Sequence, residues 1–282
     1  MKVIRFIPDL RTLLDAERRA GKTIGFVPTM GYFHDGHRSL MRRARDATDV
    51  VVVSLFVNPA QFNDPKDLAA YPRDEARDFG IASEEDVDVM FAPSPGEIYP
   101  PKFATSVSVG GITETLEGAS RGAAHFAAVA TVVAKLFNIV EPTTAFFGQK
   151  DAQQALVVRR MVRDLDLPLR IEVCPTVREA DGLALSSRNV RLDSDARQQA
   201  RALSAALFAA EKSVADGTRD AKAVVAAARS VLAHSNVSPE YLELVSTETL
   251  APVKEIQGEA LLAVAARVGG VRLIDNTILR AE

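Results

Sequence analysis

Short apolar runs alternate with amphipathic stretches from the start of the chain to residue 175. The run DVVVVSLFV is almost wholly apolar and β-branched, which is typical of a strand covered on both faces. The pattern predicts strands at Thr23–Val27, Asp49–Val57, Val87–Ala92, Ala145–Gly148 and Ile171–Pro175. It predicts helices at Arg38–Thr48, His125–Val140 and Ala152–Leu165. This alternation indicates a doubly wound parallel α/β sheet, in which ligands bind at the carboxyl ends of the strands.

The pattern changes after residue 180, where two Ala-rich amphipathic segments precede short alternating runs. The segments predict helices at Asp193–Gly217 and Arg219–Ser235. The runs predict strands at Tyr241–Val245, Ala260–Val268 and Val271–Ile274, with Gly269 and Gly270 in a hairpin turn. We therefore expect a smaller α+β domain at 177–282 after a larger domain at 1–176.

Composition narrows the partners that the chain can have. Of 282 residues, 47% are hydrophobic and 25% are charged, and the formal net charge is −3. This balance gives no reason to expect nucleic acid or an anionic membrane as a main partner. No apolar run approaches the ~18 residues of a membrane span. The only cysteine, Cys174, excludes an intramolecular disulfide and fits a reducing cytoplasm, and we expect it to be a buried packing residue.

The segment Pro28–Leu40, PTMGYFHDGHRSL, holds two of the four histidines of the chain and joins an apolar strand to a helix. Free main-chain N–H groups and the positive end of the helix dipole make this turn a plausible phosphate site. His34 and His37, three residues apart, add imidazole donors on one side of the first helical turn. An exposed pair or a helix cap is an equally acceptable interpretation of the spacing alone. Metal binding is less favoured because no third ligand lies nearby in the sequence.

Four other segments contain residue types that could bind a substrate, although each also has a purely structural interpretation. FVNPAQF places the uncharged amides Asn58 and Gln61 after the most apolar strand, where ordinary Asn-Pro turn chemistry would also explain them. FGQKDAQQ offers Lys150 for phosphate charge and Asp151 as a helix cap, or simply a solvated lysine followed by helix-surface glutamines.

The remaining two segments are rich in small residues. DGLALSSRN combines two hydroxyls with Arg188 in a possible polyphosphate clamp, and a helix cap is the alternative. LEGASRGAAHF, with Arg121 and His125, suits either a mobile flap that excludes water or a plain loop before the long apolar helix.

Taken in order, these segments resemble those of the pantoate–β-alanine ligase (pantothenate synthetase) family, in the nucleotidyltransferase superfamily. The matching segments are PTMGYFHDGHRSL, SLFVNPAQF, DLAAYPR, TVVAKLFNIVEP, FFGQKDAQQ, PTVREADGLALSSRN and VRLIDN. The resemblance implies a Rossmann-like sheet with class I aminoacyl-tRNA synthetase-like signatures. It also implies that the domain at 177–282 closes over the ATP site of the domain at 1–176.

The reaction that the resemblance implies has two steps. The pantoate carboxylate attacks the α-phosphate of ATP to give pantoyl adenylate and pyrophosphate, and β-alanine then displaces AMP to give pantothenate. Such chemistry mainly needs positioning and charge stabilisation at phosphorus. The resemblance further implies Mg²⁺ with ATP, although no protein ligand can be named, and a cytoplasmic homodimer.

Residue roles follow from the same resemblance. The catalytic set is His34, His37 (the proton donor), Lys150 and Arg188. The ATP-binding set is Met30, Gly31, Tyr32, Phe33, His34, Asp35, Gly36, His37, Gly148, Gln149, Lys150, Asp151, Val177, Leu185, Ser186, Ser187 and Arg188. The set for pantoate and β-alanine is Gln61, Gln154, Asn58, Tyr71 and Arg121.

The chain departs from the family pattern in the flap. Between Arg121 and Phe126 it reads RGAAHF, one residue longer than the family's Arg-Pro-Gly-His-Phe and without its proline, and Ala128 replaces a glycine. Two other functions stay open at this point. One is a related nucleotidyltransferase acting on a phosphorylated acceptor, which would favour Arg or Lys over the amides of Gln61 and Gln154. The other is a nucleotide-binding regulatory module without catalysis.

Overall fold

The computed structural model describes residues 1–62 and 64–281. The chain divides into two compact units. The first contains Met1–Gly148 and Gln153–Pro175, and the second contains Gln149–Ala152 and Thr176–Glu282. The four residues Gln149–Ala152 thus group with the second unit, whereas the sequence analysis assigned them to the first.

A six-stranded parallel sheet forms the centre of the first unit. Its strands are β1 (Lys2–Ile4), β2 (Ile24–Thr29), β3 (Val50–Leu55), β4 (Val89–Phe91), β5 (Thr144–Gly148) and β6 (Arg170–Cys174), arranged in the order β1-β4-β3-β2-β5-β6. The helices of this part of the chain are α1 (Ile7–Arg19), α2 (Asp35–Ala47), α3 (Pro65–Ala70), α4 (Glu75–Glu84), α5 (Pro95–Ile98), α6 (Glu117–Arg121), α7 (Ala123–Val140) and α8 (Ala152–Asp164). The doubly wound α/β architecture expected from the sequence is confirmed.

Both faces of this sheet are covered, which explains why its central strands are apolar throughout. Val27 of β2 belongs to a buried cluster with Met41 of α2 and Ala82 of α4. The neighbouring Phe26 lies on the opposite face, where its ring meets that of Phe137 of α7 edge-on at a centroid distance of 6.4 Å. Alternate side chains of one strand thus pack against different helices.

The second unit has a three-stranded antiparallel sheet and two helices. The helices are α9 (Ser194–Ala215) and α10 (Ala221–His234), and the strands are β7 (Pro239–Ser246), β8 (Glu259–Val268) and β9 (Val271–Arg280). Gly269 and Gly270 join β8 to β9 with φ values of +55° and +76°, which confirms the expected hairpin turn. A Cβ on Gly269 would lie 2.4 Å from Cβ of Ala196, so this turn also needs glycine for close packing against α9.

The structure differs from the sequence-based predictions in several elements, among them α1 and α4, which were not predicted. The edge strand β1 was not predicted, because its three residues include an exposed lysine and carry no apolar run. β9 continues to Arg280, six residues beyond the predicted strand, because polar residues such as Asn276 alternate with its apolar ones. Helix α7 is long and apolar enough to cross a membrane by length and composition, yet 61% of it is buried inside the protein, as expected for a core helix.

Cys174 ends β6 at the edge of the first sheet and is 5% exposed, which confirms its expected place in the core. Burial, with a smaller contribution from the charge of Glu172, raises the pKa of its thiol to about 11. The thiol is therefore protonated at neutral pH.

Candidate active site

His34 and His37 start helix α2 by capping each other's main chain. Nδ1 of His34 accepts a hydrogen bond from the N–H of Gly36 at 3.2 Å. Nδ1 of His37 accepts one from the N–H of His34 at 3.3 Å. The two rings lie 4.2 Å apart between centroids. Histidines thus occupy both positions of a capping box, where Ser or Thr and Glu or Gln are usual.

This reciprocal capping determines the tautomer of each neutral ring. Because Nδ1 accepts a main-chain hydrogen bond in both rings, the proton of the neutral imidazole lies on Nε2. In each neutral ring Nε2–H is therefore the donor, and Nδ1 is the acceptor that caps the helix. The cap interpretation of this motif is confirmed, and the interpretation of the rings as donors to a phosphate stays a prediction.

The main-chain N–H groups of Gly31, Tyr32 and Phe33, in the turn before α2, are already engaged, contrary to the sequence-based expectation of free donors. Tyr32 and Phe33 donate their N–H groups to the two carboxylate oxygens of Asp78, each at 2.7 Å. The N–H of Gly31 lies 3.3 Å from Oγ1 of Thr29. Polar side chains, more than main-chain donors, are therefore what this turn can offer to a phosphate.

Asp78 is a buried carboxylate that holds the turn in an unusual conformation. It lies on α4 and is 1% exposed, and burial raises the pKa of its carboxyl, although the bonds from Phe33 and Tyr32 oppose that rise. Gly31 and Tyr32 have φ values of +85° and +54°, a left-handed pair that these bonds stabilise. A Cβ on Gly31 would lie 2.9 Å from Oδ2 of Asp78, so the close approach requires glycine.

Asn58 and Gln61 form an uncharged network after β3. The N–H of Ala60 donates to Oδ1 of Asn58 at 3.2 Å, which assigns the oxygen of this amide. Nδ2 of Asn58 consequently faces Oε1 of Gln61 at 3.2 Å, and Nε2 of Gln61 lies beside Sδ of Met30. The network thus orients the amide of Gln61 through that of Asn58.

Tyr99 completes this network and was not found from the sequence. Its hydroxyl donates to Oδ1 of Asn58 at 2.9 Å. Burial raises the pKa of Tyr99 to about 12, although the bond to Asn58 opposes the rise, so its phenol stays protonated. Asn58 is 1% exposed, which makes each of these hydrogen bonds costly to lose.

The segment interpreted from the sequence as either a mobile flap or a plain loop contains a short helix that is anchored by a glutamine. Arg121 donates from Nε to Oε2 of Glu117 at 2.9 Å across one turn of α6. The N–H of Glu117 in turn donates to Oε1 of Gln153 at 2.9 Å, and Nε2 of Gln153 donates to the carbonyls of Ile112 and Thr115. Gln153 is 5% exposed, so its interpretation as a helix-surface residue was wrong.

Three further predicted residues lie in the first unit. The ring of Tyr71, at the end of α3, packs edge-on against Phe62 with centroids 5.7 Å apart. Gln154 lies half-buried in the first turn of α8. Gly148 ends β5, next to β2 in the sheet.

Nδ1 of His125, at the start of α7, lies 3.0 Å from the carbonyl oxygen of Gln61 and so links the flap segment to the amide network.

The second unit contains the turn Gln149–Asp151 and the hairpin that leads to Arg188. Nζ of Lys150 lies 3.4 Å from Oδ1 of Asp151, whose side chain is half exposed. In the hairpin, the N–H of Leu185 donates to the carbonyl of Val177 at 3.0 Å. Oγ of Ser186 accepts from the N–H of Arg188 at 3.3 Å, and Arg188 is exposed.

Arg178 fixes the base of this hairpin. Its guanidinium makes two bonds to the carboxylate of Asp275, at 2.6 and 3.1 Å, and it lies over the ring of Phe208. Asp275 is 3% exposed, and burial raises the pKa of its carboxyl against the opposing charge of Arg178. The hairpin that carries Ser186–Arg188 is therefore attached to β9 by a largely buried ion pair.

The donor atoms of the described residues do not form a protein-only metal cage. Among residues 1–62 and 64–281, no three His, Cys, Asp or Glu side chains are placed to hold a metal ion. The imidazole pair of His34 and His37 accordingly has no third ligand within that part of the chain.

A family model described as pantoate-beta-alanine ligase matches residues 2–278. The chain belongs to the pantoate–β-alanine ligase family. It is 52% identical to a pantothenate synthetase of Cereibacter sphaeroides over 97% of this chain and 98% of that protein. It is 51% identical to one from Thermotoga petrophila over 99% and 100% of the two chains. Membership makes this chain a ligase that joins pantoate to β-alanine.

Solved ligase structures share the fold. The pantothenate synthetase of Thermus thermophilus superposes with a TM-score of 0.92 at 46% identity, covering 98% of this chain and 99% of that one. A pantoate-beta-alanine ligase of Francisella tularensis, complexed with beta-gamma ATP and β-alanine, gives 0.79 at 34% identity over 99% and 97%.

Several residues that bond to the segments carrying the predicted site residues could not be assigned from the sequence. Asp78, Tyr99, Gln153 and Asn276 all act through hydrogen bonds to segments distant along the chain. Only Asp78 carried a usable signal, because it lies four residues before the buried Ala82 and places a carboxylate on the apolar side of α4.

Proposed function

We propose that this ligase works through a pantoyl adenylate formed by the residues predicted above. In the first step, a carboxylate oxygen of pantoate forms a bond to the α-phosphorus of ATP, and the bond to the β-phosphate oxygen breaks with release of pyrophosphate. In the second step, the amine of β-alanine bonds to the acyl carbon, its proton is released, and AMP leaves with the electron pair of the broken C–O bond. The site must therefore stabilise phosphate charge and keep the acid and the amine in line.

The observation that carries the proposal is the reciprocal cap of His34 and His37 at the start of α2. In each neutral ring the proton lies on Nε2, at the positive end of a 13-residue helix, which favours phosphate charge. His37 is then the proton donor toward the phosphates. Tyr32 and Phe33 contribute to the ATP loop through its shape, since their N–H groups are bonded to Asp78.

In the second unit, Lys150 has the role of neutralising charge on the α-phosphate, and Asp151 that of binding the ribose or ordering the site. The main chain at Val177 contacts adenine, and Leu185–Arg188 holds the outer phosphates. The mixture of one arginine and two hydroxyls in that last segment suits a polyphosphate.

The acid and the amine bind to uncharged groups in this proposal. Gln61 and Gln154 hold pantoate, and Gln61 also holds β-alanine, with Asn58, Tyr71 and Arg121 at the edges of the pocket. Two neighbours of the Gln61 side chain are the amide of Asn58 and the thioether of Met30. That neutral environment favours a small hydroxy acid over the phosphorylated acceptor of a related nucleotidyltransferase.

Mg²⁺ enters this proposal as part of the nucleotide. Mg²⁺ commonly keeps phosphate oxygens and waters as most of its ligands, and it needs few protein groups. Such binding is compatible with the absence of a three-ligand cluster among the residues described. When bound, the ion would neutralise triphosphate charge.

We propose further, from the family resemblance, a homodimer in the cytoplasm; light scattering of the purified chain tests its mass.

The test is isotope exchange between pyrophosphate and ATP, together with AMP release, on the purified chain. We expect exchange that requires pantoate and AMP release that requires β-alanine. His37→Ala and Lys150→Ala should each lower the exchange rate by about 10²-fold or more while the circular dichroism spectrum stays unchanged. An enzyme that binds ATP but makes no pantothenate, or variants with unchanged rates, would contradict the proposal. Exchange without pantoate would exclude this acid as the acceptor, and a regulatory module would show no exchange.

A further inference from the structure

Asn276 is a buried amide on β9 that belongs to the VRLIDN segment and has no role in the mechanism above. It is 5% exposed. Its Nδ2 donates to the carbonyl oxygens of Gln149 at 3.0 Å and of Lys150 at 2.9 Å. Its Oδ1 accepts from Nε2 of Gln149 at 2.8 Å. Both donors of this amide and its oxygen are therefore directed to one short turn.

The alternation of side chains along β9 explains why this amide reaches that turn. Asp275 and Thr277 bond to Arg178 and to Glu211 of α9, respectively. Because successive side chains of a strand point to opposite faces, Asn276 projects from the other face, on which Gln149 and Lys150 lie.

The two carbonyls bound by Asn276 belong to the peptide groups on either side of the Cα of Lys150. The carbonyl of Gln149 lies in the preceding peptide plane and that of Lys150 in the following one. Since each peptide is planar, fixing both planes fixes φ and ψ of Lys150 and thus the direction of its Cα–Cβ bond. The Lys150 side chain is 18% exposed, and its Nζ lies 3.4 Å from Oδ1 of Asp151. The main chain determines the position and direction from which this side chain extends.

We propose that Asn276 is the positioning residue for Lys150. The inference rests on the proposed function, in which Lys150 stabilises charge on the α-phosphate during adenylation. The amide acts through the main chain and touches no substrate. Asparagine suits the position because it supplies two donors and one acceptor on a short side chain, whereas aspartate would set a carboxylate against two carbonyl oxygens.

The first experiment compares Asn276→Ala and Asn276→Asp with Thr277→Val in pantoate-dependent pyrophosphate exchange. We expect kcat to fall by about 10- to 100-fold in both Asn276 variants, because a misplacement of about 1 Å can cost 10²-fold. KM for pantoate should stay within about twofold, since the glutamines that bind it are unaffected. Thr277→Val is the matched control: it removes a side-chain bond from the next residue of the same strand and should keep its kcat.

Two further measurements separate positioning from loss of structure. In a Lys150→Ala background, Asn276→Ala should lower kcat by less than about twofold, because the group it positions is absent. Hydrogen exchange at the amides of 149–152 should speed up in Asn276→Ala and not in Thr277→Val, and exchange in β8 should stay slow in both.

The outcomes distinguish this inference from the function on which it rests. Full activity in Asn276→Ala, or an equal loss with and without Lys150, would overturn the positioning role alone. Unchanged exchange in Lys150→Ala would overturn the role of Lys150 and the inference with it. A parallel loss of kcat in Thr277→Val would assign the effect to the strand in general, and the proposal would fall.

Discussion

His34 and His37 each cap the start of α2, and the proposed function gives the same rings a chemical task. Nδ1 of each ring satisfies a main-chain N–H that would otherwise lack a partner at the helix start. In the proposed function, Nε2–H of each ring is the donor to the phosphates of ATP. A substitution to alanine removes both tasks together, whereas a residue that keeps only the acceptor removes the chemical task alone.

The substitution His34→Asn would separate the capping task of this residue from its proposed chemical task. Its Oδ1 can take the place of Nδ1 as acceptor, and it lacks any group at the position of Nε2. We expect His34→Ala to lower the free energy of unfolding by about 1 kcal/mol and His34→Asn to change it by less than about 0.5 kcal/mol. Both variants should lose about 10²-fold or more in pyrophosphate exchange. Urea unfolding and exchange kinetics measure the two effects, and a His34→Asn enzyme with full exchange activity would show that the ring has no role beyond capping.

At the scale of elements, α4 is the support of the histidine-bearing helix. Its Asp78 binds the turn before α2, and Glu85 at its end accepts hydrogen bonds from Arg42 and forms an ion pair with Arg38 along α2. Glu85 is 7% exposed. Burial opposes its ionisation, but the hydrogen bonds and charges of Arg42 and Arg38 outweigh this effect and hold the pKa of Glu85 below its ordinary value.

This pair of helices should lose stability in acid through Glu85. Since its pKa is lower in the folded than in the unfolded chain, its contribution is complete above the unfolded pKa near 4.5 and is lost as the pH falls through the folded value. We expect Glu85→Gln to reduce the free energy of unfolding by about 1–3 kcal/mol at pH 7. The difference from wild type should shrink below the unfolded pKa. Urea unfolding at pH 7 and at a pH below the unfolded pKa measures this difference, and the exposed Glu84→Gln is the control. A difference that does not depend on pH would contradict the assignment.

At the scale of the whole molecule, the candidate residues are divided between two units, and the chain passes between these units at Gly148, Ala152 and Pro175. The central strands could be predicted because apolar, β-branched runs determine them locally. The hairpin of the second unit could be predicted from two adjacent glycines. The place of Gln149–Ala152 could not, because hydrogen bonds to a residue 126 and 127 positions away along the chain decide it.

The site likewise has features that are determined locally and features that depend on contacts between distant segments. The residue types and their order predicted His34, Gln61 and Lys150 as candidates, since groups suited to bind a substrate are recognisable by their own chemistry. The groups that hold them, such as Tyr99 and Asp78, are recognisable only from contacts, and contacts between distant segments leave no local periodic pattern.

The turn Gly269–Gly270 allows a test confined to the second unit. Both residues have positive φ, but only Gly269 has a neighbour within 3 Å of an added Cβ, at Ala196, whereas nothing lies within 4 Å at Gly270. We expect Gly270→Ala to cost about 1 kcal/mol for the backbone conformation alone. Gly269→Ala should cost about 2–4 kcal/mol, because overpacking adds to it. Hydrogen exchange should speed up in β8 and β9 of Gly269→Ala and stay slow in β2 and β3; equal costs at the two positions would contradict the packing argument.

Cys174, the single cysteine, lies on an edge strand one residue before the chain leaves the first unit. Its thiol is buried and protonated at neutral pH, so a thiol-specific reagent must wait until the end of β6 detaches from β5. The rate at which the unmodified chain is labelled therefore reports how readily this part of the sheet opens, and no cysteine has to be introduced. Cys174 is thus a native probe of local opening at the edge of the sheet where the chain passes from one unit to the other.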